Sequence, residues 1–243
     1  MMETRACILV VGAQAGSLGA AVCKAGVEAG FTAYSIGVSR EEDQYLDLLT
    51  APRSLLRATV REVKPQHIVC TMGINQPYPA DNDMDLPSWY LRHFEANVVG
   101  PMRLLEEYRS WIVNDLNGDL FGETRHYVAI SSNSAVIPRT GSAAYCASKA
   151  ALSQALRVKA REAQGGDNGC IVYGYEPGWL EGTPMSKDIR SQFAAGAPMH
   201  RMRGQDLEQG VPAWALARQI VAGLKVPGAA LNGALLRYDG GEL

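Results

Sequence analysis

Short apolar runs rich in β-branched residues recur along the chain, each about one strand long and each set off by a polar or glycine-bearing turn. The first, Ala6 to Val11, is apolar at every position, the pattern of a strand buried on both faces. Phe31 to Val38, His67 to Thr71, His126 to Ser131, Cys170 to Tyr175 and Ala230 to Tyr238 continue the series. Between them lie segments of helical composition: Ala20 to Gly30, closed by its glycine; Pro52 to Lys64, with Thr50 as cap; Ser88 to Asn114, kinked at Gly100-Pro101; Ala143 to Arg161; and Pro212 to Leu224. Strands and helices that alternate in this way predict an α/β fold, a doubly wound parallel sheet in a single domain over 1–243. One connection is out of proportion. Parallel neighbours need a crossover of about a dozen residues, and Val38 to Tyr45 is too short for the usual helix, so the second-to-third strand connection is shortened and the third strand short or irregular.

Composition narrows the function classes. Of 243 residues, 47% are apolar and 20% charged, enough for a real core, and the net charge of −2 steers the chain to neither nucleic acid nor acidic membrane. The five cysteines are scattered, as expected of thiols in a reducing compartment, and the four isolated histidines make no metal pattern. No run reaches the ~20 apolar residues of a membrane span, and the N-terminus does not read as a secretory leader. The expectation is a soluble cytoplasmic protein that binds no metal.

Two local patterns carry chemistry. Directly after the first strand comes Gly12-Ala-Gln-Ala-Gly16-Ser17-Leu18-Gly19, then a helix; strand, glycine turn and helix together put backbone N–H groups and a helix N-terminus where a phosphate can sit. The second pattern is Tyr145-Cys-Ala-Ser-Lys149. Four residues apart on a helix, the phenol and the ammonium share one face, and a nearby ammonium favours the phenolate, drawing Tyr145 toward proton exchange near neutrality.

With these in order, the chain resembles the classical short-chain dehydrogenases/reductases over essentially its whole length. The glycine turn Gly12 to Gly19, the Asp47-Leu48 pair, Thr71-Met72-Gly73 at a strand end, Asn97 in a helix, Ser132 thirteen residues before Tyr145, Lys149, Pro177-Gly178 with Thr183, and the closing Asp239-Gly240-Gly241 follow that family's sequence of motifs. Four departures stand out. Gly12, Gly16 and Gly19 are spaced one residue wider than usual, so either Ser17 replaces the middle glycine or the turn is longer by one. The family's asparagines are absent from Cys70-Thr71-Met72-Gly73, Pro177-Gly178 to Thr183 is one residue longer than usual, and the third strand lacks its helix.

The resemblance implies a Rossmann-like fold and reversible hydride transfer between a nicotinamide and a small carbonyl or secondary alcohol. It implies Tyr145 as acid/base, Lys149 lowering its pKa and holding the nicotinamide ribose, Ser132 fixing the substrate oxygen, and Asn97 holding a relay water. Ser131 is the alternative to Ser132, disfavoured by spacing; Asn97 could also serve the backbone near the Gly100-Pro101 kink. Cofactor contacts implied are Gly12, Gly16, Ser17, Leu18, Gly19, Asp47, Leu48, Met72, Gly73, Tyr145, Lys149, Pro177, Gly178 and Thr183. At the end of the second strand Ser39 and Arg40 stand where NAD-specific relatives carry an acid, which favours NADP over NAD. A lid over about 183–206 and a homotetramer or dimer are implied as well. The alternatives are a non-catalytic nucleotide-binding sensor and a redox-silent isomerase on the same fold. The substrate itself is not legible, and Trp179 either covers the nicotinamide or simply packs.

Overall fold

In a computed structural model, residues 6–37, 48–76, 85–114, 124–164, 170–194, 210–226 and 229–239 are described. The strands are β1 (Cys7–Val11), β2 (Thr32–Ile36), β3 (His67–Cys70), β4 (Arg125–Ile130), β5 (Cys170–Pro177), β6 (Leu180–Glu181), β7 (Val211–Pro212) and β8 (Leu235–Tyr238). The α-helices are α1 (Leu18–Glu28), α2 (Arg53–Val63), α3 (Leu86–Phe94), α4 (Gly100–Asn114), α5 (Ala143–Gln164), α6 (Pro184–Ala194) and α7 (Ala213–Gly223). Six strands form one parallel sheet in the order β2-β1-β3-β4-β5-β8, and β6 pairs with β7 apart from it. The order reverses at β1, between β2 and β3, the switch point at which open α/β sheets bind ligands.

The uninterrupted apolar strands divide their side chains between two cores, because successive residues point to opposite faces. Leu9, Val11, Ile68, Cys70, Tyr127 and Val172 pack with Leu56 and Val60 of α2, Leu104, Leu105 and Tyr108 of α4, and Leu152 and Leu156 of α5. Ile8, Val10, Val69, Val128, Ile171 and Tyr173 pack with Val22 of α1 and Leu216, Ile220 and Val221 of α7. The doubly wound parallel architecture is therefore as predicted. The shortened second-to-third strand connection lies outside the described residues, as do Ser39, Arg40 and Asp47.

Two expectations are corrected. Helix α2 is not capped by Thr50: Pro52 holds the N-cap position and makes no side-chain capping bond, its fixed φ of −57° delivering the chain in extended form. The long helix after residue 85 is not simply kinked at Gly100-Pro101. Five residues, Glu95–Val99, form a π-helical turn between α3 and α4, and Asn97 lies in its middle. An inserted π turn rotates the following residues about the axis, and such turns recur at functional sites.

Candidate active site

The cleft opens above the C-terminal ends of β1, β3, β4 and β5, and its walls are the turns those strands feed. At the first, Gly12 (φ 92°) and Gly16 (φ 74°) adopt the left-handed conformation that glycine takes without strain. Ser17 is the N-cap of α1: its hydroxyl accepts from Ala20 N at 3.2 Å and donates to Gly12 O at 3.1 Å. The widened glycine spacing is thus explained, since the positive φ falls on Gly16 and the cap on the extra residue. Gly19 is needed for packing, because a Cβ there would lie 2.6 Å from Gly12 O and 2.7 Å from Thr71 Oγ1. Thr71, where the family has asparagine, donates its hydroxyl to Val11 O and Gly12 O at 3.0 and 3.1 Å and so pins the turn to β3. Among the described residues, nothing lies within 4 Å of where a Cβ on Gly16 would sit. A glycine-lined hollow at a helix N-terminus fits a dinucleotide pyrophosphate.

Gly12, Ser17, Leu18, Met72, Gly73, Ser132, Tyr145, Lys149, Pro177, Gly178 and Thr183 all line this one cleft. Met72 contributes backbone, since its thioether turns inward against Gly100. Leu48 does not reach the cleft; it is fully buried in the core beside Gly100. Thr183 caps α6, accepting from Ser186 N at 3.1 Å, so the hydroxyl expected at a cofactor is engaged with the first helix of the lid. The remainder of that lid, 195–206, lies outside the described residues.

Helix α5 carries Tyr145 and Lys149 on its inward face. Lys149 Nζ donates to Ile130 O at 2.8 Å and lies 5.8 Å from the Tyr145 ring centroid. Gly73 faces this ammonium and the carboxamide of Asn97; a Cβ on it would lie 3.0 Å from each. Burial pushes the Tyr145 phenol up to about 12, against the lowering effect of a hydrogen bond with Ser132. Burial also pulls the Lys149 ammonium down to about 8. The expected descent of Tyr145 toward neutrality is therefore not present in the free protein: desolvation outweighs the Ser132 hydrogen bond, and the Lys149 ammonium is bonded to the Ile130 carbonyl. Tyr145 stands as a protonated phenol at neutral pH.

Ser131 is withdrawn from this chemistry. Its hydroxyl bonds Lys149 O at 3.1 Å and Ser153 Oγ at 2.7 Å, and Ser153 donates to the buried Glu176 at 2.8 Å. Ser132 Oγ accepts from Ser134 N at 3.1 Å, and its hydroxyl is in hydrogen-bond contact with Tyr145.

Asn97 does not serve the Gly100-Pro101 backbone. Its Oδ1 accepts from Ile74 N at 2.8 Å, and its Nδ2 donates to Ile74 O at 3.0 Å and Ser148 Oγ at 2.9 Å. It acts with two residues that sequence reasoning missed. His93 Nε2 accepts from Gln76 N at 3.1 Å, and Trp89 Nε1 donates to Gln76 O at 3.0 Å. Because His93 Nδ1 lies 2.8 Å from Trp89 O, the neutral tautomer with the proton on Nδ1 satisfies both contacts. Trp89, His93 and Asn97 recur every four residues, a helical period that was available in the sequence. Together they hold the loop after β3, and leave Asn75 between the two clamped residues, on the cleft wall.

Comparison with known proteins bears on the family and the fold. The family model described as short chain dehydrogenase matches residues 54–194. No curated protein matches the sequence. Among solved structures, sorbitol-6-phosphate 2-dehydrogenase from Erwinia amylovora is 16% identical with a TM-score of 0.77, over 96% of this chain and 98% of that one. A putative NAD(P) dependent gluconate 5-dehydrogenase from Beutenbergia cavernae, with bound NADP at low occupancy, is 19% identical with a TM-score of 0.74, over 97% and 95%. A variant of actinorhodin polyketide ketoreductase with NADPH is 20% identical with a TM-score of 0.77, over 97% and 96%.

Proposed function

The chain belongs to the short-chain dehydrogenase family, and from that premise we propose that it is an NADP- or NAD-dependent oxidoreductase acting on a carbonyl or secondary alcohol, with Tyr145 as its acid/base. The observation that carries this reading is that Ser132, Tyr145 and Lys149 share one cleft with the glycine turn at the N-terminus of α1.

The glycine turn with Ser17 and Leu18 would hold the pyrophosphate, and Lys149, Gly73, Pro177 and Gly178 the nicotinamide end. The cofactor supplies or accepts the hydride. The protein's own share is the proton. A phenol held neutral by burial is a donor, so Tyr145 gives its proton to a substrate oxygen that becomes alkoxide-like, and Ser132 Oγ–H donates a second hydrogen bond to that oxygen. In the reverse direction the phenol must first lose its proton. A positive charge brought beside it favours that loss, and Lys149, with its pKa pulled down to about 8, can pass a proton outward. Asn97 holds the wall of that route by fixing Ile74, and the relay water assigned to it by resemblance would have to sit against the same carboxamide. Arg40 and Ser39 favour NADP, and Arg40→Asp should weaken NADP at least about tenfold more than NAD.

Assembly as a homodimer or tetramer through α4 and α5 belongs to the same reading, and a monomeric mass in solution would remove it. The decisive experiment is Tyr145→Phe with NADPH and a carbonyl panel, followed at the nicotinamide absorbance. Loss of turnover by about 10²–10⁴-fold with cofactor affinity retained is expected; near-normal rates would refute the mechanism.

A further inference from the structure

Ser142 holds the N-cap position of α5: its carbonyl accepts from Cys146 N at 2.8 Å, the first bond of the helix. A serine there ordinarily turns its hydroxyl back to cap an N–H of the first turn. Ser142 does not. Its Oγ is buried, the residue only 2% exposed, and it has no hydrogen-bond partner among the described residues. Ser142, Tyr145 and Lys149 stand at i, i+3 and i+7, so the unused hydroxyl shares the catalytic face of the helix and lies one turn ahead of the phenol. All three line the cleft.

Two more polar atoms of the same cleft are orphaned among the described residues. Asn75 Oδ1, on the loop clamped by Trp89, His93 and Asn97, is buried without a donor. Trp179 Nε1, on the strand-end segment after Pro177-Gly178, is buried without an acceptor. The Trp179 ring is fixed from outside, with the Arg190 guanidinium 5.7 Å from its centroid. The three atoms are chemically complementary: an acceptor, a donor, and a hydroxyl that can be either. They come from three different segments, each tied down separately: Ile74 and Gln76 by the Asn97, His93 and Trp89 side chains, Gly178 N to Tyr238 O, and Cys146 N to Ser142 O.

We propose that this trio reads hydroxyl groups, and that the substrate is a small polyhydroxylated ketone or the corresponding polyol rather than an apolar carbonyl compound. The inference rests on the oxidoreductase reading for the location of the reacting carbon. A hydroxyl donates to Asn75 Oδ1 and accepts from Trp179 Nε1, and a second engages Ser142. A hydrocarbon ketone leaves all three atoms desolvated and unpaired, and sites built to bond a substrate hydroxyl discriminate strongly against analogues that lack it.

The test is a matched four-carbon series with NADPH: butan-2-one, 3-hydroxybutan-2-one and 1,3,4-trihydroxybutan-2-one. We expect kcat/KM to rise at least about tenfold from the first to the last. Ser142→Ala and Trp179→Phe should each erase most of that advantage, while Ser142→Thr, which keeps the hydroxyl, restores part of it. Equal rates across the series, or an advantage that survives both variants, would overturn the proposal. Saturation-transfer NMR of erythritol against butan-2-ol, on the full chain with NADP, gives an independent readout. Should no ketone turn over, the oxidoreductase reading falls. An erythritol signal that is present in the wild type and disappears in Ser142→Ala would then still uphold the hydroxyl-reading trio, and the absence of any erythritol signal would end it.

Discussion

The two ends of the parallel sheet treat buried polar groups in opposite ways. At the C-terminal end, Ser132, Ser142, Tyr145, Lys149 and Asn75 border a cleft, and Ser142 Oγ and Asn75 Oδ1 are buried there with no hydrogen-bond partner among the described residues. At the N-terminal end, His67 and His126 open β3 and β4 in register. Their imidazoles are buried and stacked edge to face at 5.1 Å, with Phe31 at 5.7 Å from His67 and Tyr173 at 5.7 Å from His126. His67 Nδ1 and His126 Nε2 also lack hydrogen-bond partners among the described residues, but aromatic rings close over them. An orphaned atom on a cleft costs folding energy and gains it back when a ligand arrives; one sealed in aromatic rings has no such return. The first end should therefore govern rate and affinity, and the second only stability.

The largest expected effect tests that division through pH. Burial lowers His67 to about 3 and His126 to about 4, and for His67 the neighbouring His126 and Arg125 act in the same direction. Both are neutral in the fold, whereas in the unfolded chain they take up protons near pH 6.5. Stability is therefore full above about pH 6.5 and falls with acid, because the unfolded state binds more protons. Each pH unit costs about 1.4 kcal/mol per imidazole, on the order of 5 kcal/mol for the pair at pH 4.5. Urea unfolding between pH 7 and 4.5 measures this, and His67→Phe, which keeps an edge-to-face ring beside Phe31, should remove about half the slope while leaving turnover at pH 7 intact. An unchanged slope would mean that the imidazoles are not the source.

At the cleft end, Asn97→Leu should cost both stability and rate. It unpairs the N–H and C=O of Ile74 and removes the donor to Ser148 Oγ, a loss of about 2–4 kcal/mol in urea unfolding. The wall carrying Gly73 and Asn75 moves with Ile74, so kcat/KM should fall by at least about tenfold. His93→Ala, which frees the Gln76 N–H, removes the Nδ1 contact with Trp89 O and deletes a buried ring packed on Trp89, should cost about 2–3 kcal/mol. Asn97→Leu with wild-type stability would show that the clamp is not what holds the loop.

The sequence made these two ends unequally legible. Uninterrupted apolar strands state the doubly wound fold, since only a sheet covered on both faces tolerates them. Tyr145 and Lys149 state their shared face because the helical period is fixed. The π turn at Glu95–Val99 was hidden: its residues have ordinary helical composition, and the extra residue per turn shows only when Asn97, His93 and Trp89 are seen to meet one loop. The Tyr145 pKa departs from the expectation because spacing reveals the nearby ammonium and not the burial that raises the phenol. Ser142 carries no mark in the sequence, for nothing there says that a serine at the cap position leaves its hydroxyl unused. Leu48 matched a motif by position, and its side chain went to the core beside Gly100 instead.

The smallest effects separate the two glycines of the turn, and here stability and affinity should part company. Gly19→Ala forces a Cβ to within 2.6 Å of Gly12 O and 2.7 Å of Ala13 Cα, both backbone atoms that cannot swing away. It should cost about 2 kcal/mol in unfolding as well as cofactor affinity. At Gly16 a Cβ meets nothing within 4 Å among the described residues, so the only folding cost is the positive φ of 74°, about 1 kcal/mol. A pyrophosphate bound on this turn, as proposed, is what the added methyl would meet. Gly16→Ala should therefore weaken NADP binding by more than tenfold, beyond what a loss of about 1 kcal/mol in stability accounts for, as measured by titrating nicotinamide fluorescence. Unchanged affinity in Gly16→Ala would place the pyrophosphate elsewhere than in this hollow, and would leave Gly19 with a packing role alone.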